Sequence, residues 1–415
     1  MNLIKKYKRV KSRSLTQLLL FLTVVTTCLG DVLNIFGLKL SWMFAGLSVV
    51  AFIYEYFRKR YTFPLGTLNL KIVSGFFVVW LVYASVQMLI IDRNANALTF
   101  YRFLAVNIFL VLMLILNTKS LNDVVFFSKA LIAGYFINLI IVIWELYTGK
   151  QAVNVPVEPG FVYGVFANVN DLCTVLAFGI FALLFNMLLT KKNMLISITA
   201  IIFSVYIIYI DDSRAPLLSL ILLLFFWGVF EVSVLLYQKS RTAFICYMSV
   251  LVAVPVVAAI VILTKYHVDQ LVSMLSSEAT VASDSLRVEL AEKALVMTKD
   301  SRFLGVGPGQ SVEIIGVNIH NFFLEVLAEY GVLIFAGIVY LFVVIFTAYR
   351  TQLPRRVSSL LMAFVPFFAV ASISSSSAAK IKATWVIITL LFLAVVYSRT
   401  KKENTAEEPS KVEES

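Results

Sequence analysis

Charge and histidine are scarce in this sequence, and their scarcity excludes whole classes of protein. Of 415 residues only 14% are Asp, Glu, Lys or Arg, against 60% hydrophobic, and the mean hydropathy is +0.91. Soluble domains carry about 25% charged residues, so a water-soluble globular fold is excluded. The two histidines, His267 and His320, and the three cysteines, Cys28, Cys173 and Cys246, are too few and too scattered for a zinc site. No HExxH pattern or cysteine pair accompanies them, and no disulfide framework follows from their spacing. Period-two alternation is also missing, which argues against a membrane β-barrel. No internal repeat is visible.

What the chain has instead is a succession of apolar runs of about 20 residues, enough to cross a hydrocarbon core of about 30 Å. They predict helical spans at 15–36, 38–57, 72–91, 98–116, 125–147, 172–189, 194–210, 215–237, 244–263, 321–347, 357–377 and 383–398. The expected fold class is all-α: a polytopic helical membrane protein of about 12 transmembrane helices with one long, partly helical outer loop. The net charge of +11 reports topology, not a nucleic-acid partner. With the N-terminus inside, most Lys and Arg fall in the inner connections. Short outer loops keep only Lys39, Arg93, Lys150, Arg214, Lys380 and Lys382. Both termini are then cytoplasmic. The basic start MNLIKKYKRVKSR lacks a clean cleavage site behind its apolar run, so it reads as an uncleaved first helix. The expected organisation is a basic N-terminus over 1–14, helices one to nine over 15–263, an extracytoplasmic loop over 264–320, helices ten to twelve over 321–398 and a disordered cytoplasmic tail over 399–415.

On this topology the chemically rich segments all lie outside. The first runs from Lys150 to Asp171, where Pro156, Pro159, Gly160 and Gly164 forbid a regular helix. The second is IDDSRAP, ending at Pro216. The third runs from about Lys265 to Gly331. Within it, Ser283 to Thr298 reads as an amphipathic helix, capped by Ser283 or Asp284, with Leu286, Leu290, Ala294 and Met297 on one side.

Each candidate group has two readings. Arg214, in DDSRAP, either pairs with Asp211 or Asp212 or offers its fixed fork to phosphate oxygens. Arg287, on the loop helix, is either solvated or a second such group. His320 is either structural or a general base, since its unperturbed pKa lies near physiological pH. The glycines of GVGPG (Gly305, Gly307, Gly309) lack the strand context of a dinucleotide motif and suggest a tight turn with exposed N–H groups for an anion. Glu325 and Glu329, spaced i,i+4 in a span, serve either chemistry or a polar network. Asn168, Asn170 and Asp171 either cap the sixth span or touch substrate, and Asn321 stands beside His320 at the mouth of the tenth. Arg102 lies towards the outer end of its span, within reach of a substrate phosphate or of Asp31. Glu231 lies on the inner half.

Four pieces of sequence, FANVND, DDSRAP, SDSLRVELAEKALVMTKDSRFLGVGPG and IHNFFLEVLAEYG, together resemble the O-antigen ligase and Wzy-type polymerase superfamily. The order and spacing of the last two carry the resemblance furthest. It implies a GT-C-like architecture in a bacterial cytoplasmic membrane, with the site on the outer face. The implied activity is transfer of glycan from a polyprenyl-diphosphate carrier to a glycan or lipid acceptor, with no metal and no cofactor. Membrane lipids and polysaccharide assembly proteins are the further partners implied. By the same resemblance Arg214 and Arg287 hold the diphosphate and His320 activates the acceptor hydroxyl, with Asn321, Asn168, Asn170, Asp171, Glu325 and Arg102 around the substrate. The chain departs from the family at Val169 and Arg302, where proline or serine and proline are common, and neither change removes a reacting group. Polymerisation of lipid-linked repeats is the leading expectation. Ligation of finished glycan is the alternative, and transport of the same lipid-linked sugars is a third.

Overall fold

The computed structural model describes residues 13–30, 34–35, 38–58, 66–91, 94–152, 161–251, 278–373, 377 and 380–403. The helices among them are α1 (Leu15–Thr27), α2 (Leu40–Phe57), α3 (Leu68–Ile90), α4 (Ala95–Asn117), α5 (Leu121–Thr148), α6 (Val169–Thr190), α7 (Met194–Ile210) and α8 (Arg214–Lys239). They continue with α9 (Arg241–Leu251), α10 (Glu278–Asp300), α11 (Gln310–Ile315), α12 (Phe322–Phe346), α13 (Arg355–Ala371) and α14 (Lys382–Glu403). Each expected span overlaps one of these helices, the ninth only over 244–251, since 252–263 lie outside the described residues, and eight of the helices are long and apolar enough to cross a membrane. The protein is a polytopic helical membrane protein. The one extended feature among the described residues is a two-residue antiparallel ladder, β1 (Asn34–Ile35) with β2 (Leu38–Lys39), which leads into α2.

Polar residues at the span ends satisfy the first-turn N–H groups that the helix itself leaves open. Asn94 accepts from the Ala97 N–H at 2.7 Å, and Thr67 accepts from Leu70 at 3.4 Å. Inside a membrane, apolar side chains gain little by leaving lipid for protein, so close packing holds the helices together. That packing centres on α14, 89% of whose apolar window is buried. Beside it runs an aromatic chain: Phe178 of α6 stacks on Phe368 of α13 at 5.7 Å, and Phe322 of α12 meets the same ring edge-on at 5.2 Å. Such ring pairs contribute about 0.5–1.5 kcal/mol each beyond area burial.

The two ends of the bundle differ. One end is held by basic residues: Arg13 pairs with Asp123, and Arg355 and Arg356 share Glu231 at 2.9 and 3.7 Å. Glu231 therefore has a counter-charge far from the motif loops. The other end carries α10, α11 and the motif segments.

Several boundaries differ from expectation. Helix α1 stops at Thr27 rather than near 36, because the chain turns through Gly30 (φ 57°), where a Cβ would lie 2.5 Å from the Val165 carbonyl oxygen. Helix α14 continues to Glu403, into the segment expected as tail. Helix α10 is already helical at Glu278, so neither Ser283 nor Asp284 caps it. Its Leu290, Ala294 and Met297 are buried, but Leu286 is 49% exposed, because packing against α12 is established only beyond it. His267, Asp31, Pro156, Pro159, Gly160 and residues 1–12 and 404–415 lie outside the described residues.

Candidate active site

The first half of the site is built on carboxylates that organise backbone. Glu145, in the last turn of α5, is buried and accepts from the N–H groups of Ala152 (2.8 Å), Tyr163 (3.2 Å) and Gly164 (2.7 Å). Asp211, in the loop between α7 and α8, accepts from the Val162 N–H at 2.9 Å and from the Cys173 thiol at 3.7 Å. Between them these two carboxylates fix the irregular segment that enters α6. Asn168 caps that helix by accepting from the Asn170 N–H at 2.8 Å, and Asp171 sits in its first turn. The Ser213 hydroxyl donates to the Asn170 side-chain oxygen at 2.9 Å, so FANVND and DDSRAP meet directly.

Arg214, the next residue, opens α8. It is exposed and makes no ion pair or hydrogen bond among the described residues. The pairing with Asp211 or Asp212 does not form. Asp211 is turned inward, 4% exposed, and Asp212 is exposed at φ 47°. Burial pushes the Asp211 carboxyl up from its ordinary value to about 6; the Glu145 charge adds to this, and the bonds from Val162 and Cys173 work against it.

The second half is the long loop. Ala294 of α10 packs with Ile319 and with Ala328 of α12 in one apolar cluster, which docks the loop helix beside His320. Arg287 lies three residues before buried Leu290 and seven before Ala294, on the packed side of α10, and is half-buried. His320 is half-buried and has φ 55°, a left-handed conformation uncommon for a side chain with a Cβ. Asn321 then caps α12, its oxygen accepting from Phe323 and Leu324 at 3.1 Å each. Glu325 and Glu329 are both buried one turn apart; Ser377 donates to the first at 2.6 Å and Ser311 to the second at 2.5 Å.

The glycine turn is no anion cradle. The N–H groups of Val306 and Gly307 donate to the Ala328 and Glu329 carbonyls at 2.9 Å, and that of Gly305 donates to Ser301. Expecting those groups to be free overlooked the break at Gly331 (φ 79°, ψ −179°), which opens carbonyls of α12 to the turn. Gln87 of α3 donates to Glu329, Leu304 and Gly305 carbonyls in the same place (3.0, 3.3 and 3.4 Å). The turn is thus a clamp on the interrupted helix.

Helix α13 brings the halves together. The Trp227 indole of α8 donates to the Arg356 carbonyl at 3.0 Å, and Glu231 pairs with Arg355, so α8 and α13 run antiparallel. Counting thirteen residues back from Trp227 reaches Arg214, and thirteen forward from Arg356 reaches Ala369. The Phe322 N–H, two residues past His320, donates to the Ser372 carbonyl beside that level at 3.4 Å. Phe368 touches both Phe178 and Phe322. Arg102 stands apart: it is exposed on α4 and has no hydrogen bond or ion pair among the described residues. Glu145 and Ser213 escaped sequence reading. Glu145 had a signal, a carboxylate at the end of an apolar span before a proline-rich loop.

Residues 199–339 match the family model described as O-antigen ligase, a stretch from α7 through His320 into α12. The chain is also 26% identical over 368 residues to the teichuronic acid biosynthesis protein TuaE of Bacillus subtilis (strain 168), a match covering 81% of this chain and 74% of that protein. The resemblance read from the four motifs holds.

Proposed function

From a membrane protein whose residues 199–339 match the family model described as O-antigen ligase, we propose a glycosyltransferase that moves glycan from a polyprenyl-diphosphate carrier, polymerising the repeat units of a surface polysaccharide. The observation that carries this reading is Arg214. A guanidinium at the N-terminus of α8, with no counter-ion among the described residues, presents a fork and a positive helix end to the same point. That is a site for a phosphate-type anion.

The reaction follows from the groups available. The acceptor hydroxyl oxygen bonds to the anomeric carbon of the donor sugar as the bond from that carbon to the diphosphate oxygen breaks. His320 takes the hydroxyl proton. Arg214 and Arg287 stabilise the charge that accumulates on the departing diphosphate, which is the role a divalent ion fills elsewhere. Attack from the face opposite the leaving group inverts the anomeric centre. Asn168, Asn170 and Asp171 line the approach to Arg214, and Asn321 and Glu325 fix the helix behind His320. The site faces the outer side of a bacterial cytoplasmic membrane, with both termini inside, as the Lys and Arg distribution favours. The relative named for teichuronic acid biosynthesis favours polymer building.

The description of the matching family model supports a second reading, ligation of finished glycan to a lipid or other acceptor. The same chemistry serves both, with a different hydroxyl. Purified protein in lipid discs, given a polyprenyl-diphosphate oligosaccharide repeat, yields longer lipid-linked glycans, and His320→Ala or Arg287→Ala yields none. Full transfer by either variant sinks the mechanism. A deletion strain that keeps single repeats and loses long chains marks a polymerase, whereas accumulated lipid-linked polymer marks a ligase.

A further inference from the structure

The turn between α10 and α11 descends below the end of the span beside it. The Tyr83 hydroxyl of α3 donates to the Leu304 carbonyl, and Tyr83 lies seven residues before Ile90, the last residue of that helix. At about 1.5 Å per residue, the Leu304 carbonyl sits about 10 Å below the end of α3. Helix α12 gives the same level from the other side. The Val332 N–H donates to the Phe303 carbonyl at 3.0 Å, and the fifteen residues from Gly331 to Phe346 span about 22 Å. A hydrocarbon core is about 30 Å thick, so a core that either span crosses end to end includes the level of Phe303 and Leu304. The chain then climbs again. A Cβ on Gly307 would lie 3.0 Å from the Ile91 side chain, and one on Gly309 would lie 2.9 Å from the Asn96 carbonyl oxygen. Asn96 also donates to Glu313, which places α11 level with the start of α4.

Irregular backbone is tolerated at membrane depth only where protein satisfies its polar groups. This turn meets that condition. Each N–H from Arg302 to Gly307 has a protein acceptor. Val332 takes the Phe303 carbonyl, and Tyr83 and Gln87 take that of Leu304. The side chains are the reverse of a water-facing loop. Phe303 and Leu304 are 56% and 57% exposed, and exposed Val82 and Val86 of α3 and Val332 and Leu333 of α12 extend the apolar surface. Arg302 and Phe303 hold left-handed backbones (φ 52° and 64°), uncommon for residues with a Cβ. Lys299 and Arg302, both exposed, border the apolar tip, and their long stems let the charged ends reach a polar layer while the chain lies deeper.

We propose that this turn is inserted into the bilayer leaflet on the motif side, with Phe303 and Leu304 against phospholipid acyl chains and Lys299 and Arg302 at the level of the phosphates. Apolar tips below and cations above match the layering of a phospholipid leaflet. The segment expected to lie wholly in an extracytoplasmic loop is thus moored in the membrane. Helix α10, which carries Arg287, ends on that mooring, so the bilayer helps to set where its guanidinium stands.

The test places single cysteines at the tip and on α11, Phe303→Cys and Ile314→Cys, in full-length protein that also carries Cys246→Ser to remove the exposed native thiol. Ile314, 61% exposed, is the aqueous reference. Each cysteine is labelled with a small fluorophore in discs of phosphatidylcholine and phosphatidylglycerol. Lipids with a nitroxide on the upper acyl chain quench the label at 303 several-fold more than the label at 314, and iodide in the water quenches in the opposite order. A label at Arg302→Cys responds most to a nitroxide on the headgroup. Equal iodide quenching at 303 and 314 overturns the insertion, and an acyl-chain preference at 302 equal to that at 303 overturns the depth order. Shielding of 303 from both quenchers also overturns it, because protein, such as a second copy of the chain, would then cover the turn. Unsubstituted protein in the same discs guards against a variant that does not fold. Hydroxyl radicals made in the water modify Phe303 several-fold less than Ile314, and equal modification overturns the proposal.

Discussion

The Ser213 hydroxyl donates to the Asn170 side chain across 2.9 Å, and this one bond joins the N-termini of α6 and α8. Arg214 is the residue after it, so the bond fixes where the guanidinium starts from. Ser213→Ala removes the donor and leaves a half-buried amide oxygen short of a partner, at a cost of about 1 kcal/mol. Transfer falls about tenfold because a displaced charge stabilises the leaving group less well. Ser213→Thr keeps the hydroxyl and most of the rate. Thermal melting and initial rates on the two variants separate loss of position from loss of fold.

Asp211 gives stability a pH dependence with a definite sign. Its carboxyl titrates near 6 in the folded protein against an ordinary value of 3.8. Between those values the folded state holds a proton that the unfolded chain has released, so stability falls as pH rises from about 4 to 6 and is level above. The full swing is about 3 kcal/mol. Asp211→Asn keeps an oxygen for the Val162 N–H and cannot ionise. Its melting temperature loses that slope, matches wild type near pH 4 and exceeds it at pH 7. A variant whose slope equals that of wild type rules Asp211 out as the titrating group.

Glu145 holds three backbone N–H groups of the segment that enters α6. Glu145→Ala strands them, and each stranded donor costs about 1–3 kcal/mol. Glu145→Gln retains one acceptor oxygen, enough for either the Ala152 N–H or the Tyr163 and Gly164 pair, and strands the other side. The expected order of melting temperature is wild type, Gln, then Ala by a wide margin, and protease cleavage within 150–171 appears first in the alanine variant.

The glycines of the long loop separate strain from crowding. At Gly305 a Cβ would lie 2.5 Å from the Glu329 carbonyl oxygen and the backbone has φ 83°. Gly316 has a similar φ of 86° but nothing within 4 Å. Gly316→Ala therefore costs only the left-handed conformation, roughly 1–2 kcal/mol. Gly305→Ala adds a backbone collision and opens the clamp on α12. Melting and transfer are both lost at 305, and transfer survives at 316.

The fold was legible because membrane spans announce themselves by length and apolarity, which is why α3 to α6 match the reading closely. The clamp at Gly331 was not legible. It depends on carbonyls of α12 meeting Phe303 to Gly307 across the loop, and no periodicity records a meeting of that kind. Arg214, Arg287 and His320 were visible as polar residues at apolar borders, but Glu145 was hidden by its place inside a span and Ser213 by its ordinariness. The orientation of Asp211 was open on sequence grounds. Two carboxylates beside an arginine suggest an ion pair until the Val162 N–H is found to compete for one of them.

That competition leads to the sharpest prediction for the transfer site. Because Arg214 makes no ion pair or hydrogen bond among the described residues, replacing it removes no contact that holds the fold. An exposed position of this kind changes stability by about 0.5 kcal/mol or less. Its effect on the reaction is separate. If the guanidinium stabilises the departing diphosphate, Arg214→Ala lowers kcat about 100-fold to 1000-fold, the range seen when one such donor is lost. Arg214→Lys keeps the charge but not the fork, and recovers only part of that loss. The two variants and wild type therefore share one melting temperature and differ widely in rate. An alanine variant that melts early and turns over normally would place Arg214 in the fold and take it out of the chemistry.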